Sequence, residues 1–168
     1  MKDLKRFLDA QENDFDRALA EIKRGRKQSH WIWYIFPQIA GLGSSETSRF
    51  YAVKDRAEAE LYLAHPVLSA RLVEISEALL EIEGKTANQI FGSPDDMKLK
   101  SSMTLFESLE KAHLIFQKVL DKYFNGKKAA NIGFDWRLKM KRRSDIAEYI
   151  RKLNAIKTEN LYNKIQFS

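Results

Sequence analysis

The sequence predicts a mainly α fold: a multihelical single-domain bundle with a small basic strand–helix–strand appendage at its C-terminal end. Three observations predict it. Over most of residues 3–126, apolar side chains recur at steps of three, four and seven, the spacing of one helical face. Gly and Pro, seven and three in number, fall mostly at the ends of these runs. From Phe134 the period switches to two. At 168 residues and 44% hydrophobic content, the chain fits one domain of ordinary size and is too apolar to be disordered throughout.

The first helix is expected over 3–24, with Leu4, Phe7, Leu8, Phe15, Leu19 and Ile22 on one face, Asp3 as N-cap and Gly25 as stop. "WIWYIF" (31–36) is apolar on all sides and therefore buried. Its neighbours favour a helix, capped by Ser29 and ended by Pro37. "GLGSS" (41–45) reads as a loop running into the helical stretch "ETSRFYAV". Asp55 caps a short helix over 55–64. A longer one follows Pro66, burying Leu68, Leu72, Ile75, Leu79 and Ile82 before Gly84. "TANQIFG" is a turn or two of helix. In the next segment Ser93 is the expected N-cap, Pro94 the first helical residue, and Asp95 and Asp96 lie at the positive helix end. The helix over 114–126 is expected to turn Leu114, Val119, Leu120 and Tyr123 or Phe124 inward and to stop at Gly126.

The tail differs. Phe134, Trp136, Leu138 and Met140 alternate with Asp135, Arg137, Lys139 and Lys141, as in a strand with one mostly basic face. Ser144 then caps a helix, and "LYNKIQF" is a second strand that can pair with the first. Residues 127–168 hold eleven Lys/Arg against four Asp/Glu, or +7. The first 126 hold eighteen against nineteen, or −1, so the net +6 belongs to the last quarter. This asymmetry divides the chain into a helical domain over 1–126 and a basic extension over 127–168.

There is no Cys, which excludes disulfides, thiolate metal sites and Cys nucleophiles. His30, His65 and His113 stand in no metal-ligand spacing, so neither a metal nor a cofactor is expected. The stretch "MKDLKRFLDAQEND" lacks the apolar core of a signal peptide, and no run approaches the ~18 apolar residues of a membrane span. The expectation is a cytoplasmic protein without membrane contact.

The segments "GRKQSHWIWYIFPQIAGLG", "YLAHPVLSARL" and "IFGSPDDMKLKSSMTLF", in this order, resemble domain-of-unknown-function family 1810, a group of small bacterial proteins. The resemblance runs from about Asp3 to Gly126 and implies a multihelical fold. It implies no activity and no catalytic residue. Some members carry the label calpastatin, which does not fit here, because an inhibitor of that kind is largely disordered whereas this chain has the periodicity of a globule.

Chemistry is concentrated in the first and third of these segments. Six large apolar residues in succession, Trp31 to Phe36, exceed what one buried helix face holds, so some must cover another element or line a cleft. Indoles suit planar ligands such as nucleobases. Lys27, Ser29, His30 and Gln38 add cationic and neutral donors at the edges. The core alternative for the aromatics stands beside this one. On the helix after Pro94, Lys98, Ser101, Ser102 and Thr104 are polar for the middle of a bundle. Asp95 and Asp96 can cap that helix, pair with Lys98 or Arg26, or act as general acid and base with His30. A Ser–His–Asp triad can be written from Ser101 or Ser102, His30 and Asp95, but no nucleophile-elbow motif accompanies it. "GLGSS" can hold a phosphate, although it lacks the Lys of a P-loop.

Two readings follow. In one, a pocket between 29–38 and 95–104 binds or hydrolyses a nucleotide-like or phosphorylated small molecule. Trp31 or Trp33 stacks its base, and Lys27, Lys98, Ser101 and Ser102 hold phosphate or sugar. In the other, the bundle is a scaffold and Arg137, Lys139, Lys141, Arg142 and Arg143 contact nucleic acid or an acidic protein, or the extension pairs with a second copy.

Overall fold

The computed structural model describes residues 4–130, which form eight helices. Helix α1 spans Lys5–Lys23 and buries Phe7, Gln11, Phe15, Ala18, Glu21 and Ile22. Leu4 occupies its N-cap position without a side-chain cap, and Asp3, expected there, lies outside the described residues. Gly25 ends it at φ 71°, donating to the Ile22 carbonyl at 2.7 Å. Helix α2, Ile32–Ile35, is a single turn. Its N-cap is Trp31, and Ser29 is engaged elsewhere. Helix α3 (Glu46–Phe50) is capped by Ser45 and α4 (Arg56–Ala64) by Asp55, whose side chains accept from Ser48 N and Glu58 N. Helix α5 is Pro66–Glu81, with Pro66 in the first turn and His65 as cap. Thr86 and Gln89 form a capping box on α6, Ala87–Phe91.

Helix α7 runs Asp95–Glu107. Pro94 is its N-cap, after a cis Ser93–Pro94 peptide, so the cap expected of Ser93 is not made. Helix α8 is Leu114–Phe124, capped by His113 and closed by Asn125 at φ 52° and Gly126 at φ 70°. Leu114 does not turn inward: it is 76% exposed. The buried stripe of α8 is Ile115, Phe116, Val119 and Leu120. Leu114 instead heads the row of Gln117, Lys118 and Asp121 on the wet side.

Helix α1 packs on α5, α5 on α8, and α8 on α7. Helices α2, α4 and α6 also lie against α7. One continuous core results, with Trp31, Tyr62, Phe7, Phe36, Phe106 and Phe116 among its largest fully buried side chains. Between α2 and α4 the chain makes a loop whose ends meet in a parallel bridge, Ile39 with Val53. Ala40 N donates to Val53 O and Val53 N to Gln38 O, both at 2.8 Å. Arg6 fixes the far side of this neck, donating to Ala52 O at 2.9 Å and pairing with the buried Glu58 at 2.8 Å.

No helix among the described residues is long and apolar enough to cross a membrane. The strand–helix–strand expected in the extension, with Arg137, Lys139, Lys141, Arg142 and Arg143, lies outside the described residues.

Candidate functional site

The segment from Gly25 to Gln38 is organised by a residue the sequence reading passed over. Glu21 sits in the last turn of α1, buried. Its carboxylate accepts from the Gln28 N–H (2.7 Å), the Ser29 N–H (3.0 Å), the Ser29 hydroxyl (2.5 Å) and the Trp31 indole N–H (2.8 Å). Burial alone would raise its pKa. These donors, Ser29 foremost, outweigh burial and hold it down to about 2. The carboxylate is therefore ionised, and it folds the stretch Gln28–Trp31 around itself. Trp31 is fully buried as a consequence, and no ligand can stack on it.

Trp33 faces the other way. Two residues along a helix rotate a side chain by roughly 200°, so one indole inside puts the next near the surface. Trp33 is half-buried, and the Lys98 ammonium lies 3.7 Å from its ring centroid. Lys98 also donates to Asp95 at 2.8 Å, and the other oxygen of Asp95 pairs with Lys27 at 2.7 Å. The Lys27 ammonium is 5.2 Å from the Trp31 ring, and its backbone N–H donates to Ile90 O at 2.7 Å. Burial works to raise the Asp95 pKa, and the two ammonium groups lower it further than burial lifts it. Both its oxygens are occupied, so this carboxylate is a counter-ion for two lysines.

The first segment and α7 thus meet, as expected, but they meet with side chains in contact. The hollow that Trp33 helps to wall lies elsewhere. It has a volume of about 90 Å³, and its other walls are Gln38, the Gly41–Gly43 backbone, Ser48, Arg49 and Tyr51. The amide nitrogen of Gln38 is buried there without an acceptor. The backbone N–H groups of Gly41, Leu42 and Gly43 also make no hydrogen bond among the described residues. Gly43 is needed, since a Cβ at this position would come within 2.6 Å of Ser48 Cβ. At the rim, Phe50 is 59% exposed and packs edge-on against Tyr51, with ring centroids 4.8 Å apart.

The remaining expected residues fall outside this hollow. Ser102 is fully buried in α7, its hydroxyl without a partner. Thr104 is buried too, donating to Lys100 O and accepting from Ala129 N. Ser101 is half-buried, one turn beyond Lys98. Asp96 accepts from Asn88 Nδ2 at 3.0 Å and from Met97 N at 2.8 Å. His30 is exposed and makes no contact with Asp95 or Ser101, so the triad written from the sequence is not assembled. Arg49 and Tyr51 went unrecognised in the sequence. The only pointer to them was their place just after "GLGSS".

No curated protein matches the chain. Among solved structures it is similar to the conserved hypothetical protein Rv1873 from Mycobacterium tuberculosis. The two are 41% identical, with a TM-score of 0.76, over 77% of this chain and 93% of that one. Residues 1–132 match the family model described as "Protein of unknown function (DUF1810)", and the chain belongs to this family.

Proposed function

We propose that the protein is a binding module for a small molecule that joins an anionic group to a planar one, nucleotide-like or phosphorylated, held at the Trp33–Gln38–Tyr51 hollow. The observation that carries this reading is the buried Gln38 amide nitrogen, which lacks an acceptor beside solvent-facing backbone N–H groups that meet no acceptor among the described residues. An oxyanion supplies the acceptors these donors lack. At about 90 Å³ the hollow is smaller than the ~150 Å³ cavity that admits a benzene ring, so it takes a phosphate- or carboxylate-sized group. A planar group then rests outside, on the rim of Tyr51 and Phe50, with Arg49 adding positive charge. The upper face of Trp33 is covered by Lys98, which must swing aside before a base stacks there.

The lining favours binding over hydrolysis. No Asp, Glu or His lies in it, so nothing at the hollow is placed to move a proton at neutral pH. The test is a thermal-shift series with inorganic phosphate, sugar phosphates, mononucleotides, NAD and ADP-ribose. A ligand at a hundred times its Kd stabilises by about 2.7 kcal/mol, a rise of several degrees. Gln38→Leu should abolish the rise while the variant still folds. If none of these compounds raises the melting temperature, the reading fails. It fails equally if Gln38→Leu responds like the parent.

A further inference from the structure

A second surface, separate from the hollow, carries charge that the fold does not use. We infer that the basic groove at the C-terminal end of α1 docks the phosphodiester backbone of a double-stranded nucleic acid. Two adjoining depressions form it and share Lys85. The larger, of about 580 Å³, is bordered by Arg26, Lys27, Lys85 and Gln89. The smaller, of about 430 Å³, is bordered by Lys23, Arg24 and Lys85, with Glu81 as its one acid.

Four of the cations here, Lys23, Arg24, Arg26 and Lys85, gather around one groove and have no carboxylate partner among the described residues. Elsewhere on the surface Lys5 pairs with Asp9, Arg17 with Asp14, Arg56 with Glu60 and Lys128 with Glu107. Lys23, Arg24 and Arg26 are exposed and meet no carboxylate among the described residues. Lys85 donates only to the Gly25 carbonyl, at 3.0 Å. Lys27 alone is neutralised, by Asp95. A cation in the last turn of α1 gains about 0.3–1 kcal/mol from the helix dipole, which accounts for Lys23 but not for four charges gathered from two parts of the chain.

The surroundings suit phosphates. Gln89 uses its side-chain oxygen in the α6 capping box, which leaves its NH₂ as a donor on the exposed side. Gly84 and Gly92 both have positive φ and open space where a Cβ would stand, so a backbone oxygen can approach the main chain. Phe91 is the only aromatic residue bordering the groove, and it is buried. Single-stranded sites are built on exposed aromatic platforms, which this groove lacks, so the fit is to duplex phosphates without base readout.

The experiment measures anisotropy of labelled duplexes of about 20 base pairs, DNA and RNA, titrated with the full chain at roughly 50 and 200 mM salt. Four phosphate contacts predict an affinity loss of about 10²-fold between these salts. Reversing Lys23, Arg24, Arg26 and Lys85 together to Glu should weaken binding at least tenfold and flatten the salt dependence. The same reversal at Lys5, Arg17, Lys111 and Lys118, exposed on other faces, should cost less than about threefold. If the groove variant loses its helical circular dichroism, Arg24→Ala/Arg26→Ala replaces it, with a loss of about three- to tenfold expected. A difference between DNA and RNA identifies which duplex is bound. No binding at the lower salt overturns the proposal, as does undiminished binding by the groove variants. It is equally overturned by equal losses in the two reversal variants, or by polyglutamate competing as well as heparin for the duplex site.

Discussion

Trp31 and Trp33 are two positions apart and have opposite surroundings. Trp31 is sealed in the core with its N–H on a carboxylate, Glu21. Trp33 lies at the surface with an ammonium on its face, and that ammonium belongs to a carboxylate as well, Asp95. In the first case one acid satisfies four donors and the aromatic ring is part of the fold. In the second, one acid is shared by two lysines and the ring is left with an edge free to wall a hollow. What separates a structural aromatic from an available one here is the direction in which a single helical turn points it.

Four measurements break or sharpen this contrast. The largest effect belongs to Trp31→Ala, which should cost about 3–5 kcal/mol in urea unfolding, as expected for a large aromatic removed from a packed core. Glu21→Ala comes next, at about 2–4 kcal/mol, because four donors lose their acceptor in a buried place. The third is pH dependence. Glu21 has a folded pKa of about 2 against an ordinary 4.5, so its contribution is fully present above pH 4.5 and is lost as the pH falls from 4.5 toward 2. Stability measured against Glu21→Gln should converge toward the variant over that window. A parent–variant difference constant from pH 5 to pH 2.5 would refute the assigned role. The smallest effect is at Lys98. Lys98→Met should change stability by about 1 kcal/mol or less, since Asp95 keeps Lys27 as its partner and the methionine still covers the Trp33 ring. Lys98→Ala, by contrast, should uncover Trp33 and raise its quenching by acrylamide.

Much of the fold was legible because its signals are local. Asp55, Ser45 and the Thr86/Gln89 pair each announce a helix start by satisfying a backbone N–H within three residues. Gly25 and Gly126 announce stops by adopting positive φ. Misplaced features depend on what lies across the molecule. Six consecutive apolar residues carry no periodicity, so nothing local distinguishes Trp31 from Trp33. Leu114 looked like core because it is apolar, yet it is the residue before the buried stripe begins. Glu21 did leave a trace. It sits beside Ile22 on the stripe that α1 buries, as Gln11 sits between Phe7 and Phe15. A polar residue where the pattern requires an apolar one marks a buried hydrogen-bond network, and both positions hold one: Gln11 donates to Tyr34 O at 2.8 Å and to the Tyr62 hydroxyl at 2.9 Å. An Asp95–Lys98 pair was one of the alternatives the sequence offered; the second partner is Lys27 rather than Arg26, and no local signal distinguishes the two. The hollow's position was not foreseen, because it is made by a loop closing on itself.

That closure has a further effect. The excursion from Ala40 to Ala52 is stitched at its neck by two short backbone bonds and braced by Arg6, and Leu42 and Tyr51 pack from it against the core, which leaves its crest in solvent. The exposed crest, residues 43–46, is the part that can open locally without unfolding of the helices beneath it. In a deuterium-labelling experiment the amides of residues 41–45 should fill early, and Val53, only a few residues on, should fill late.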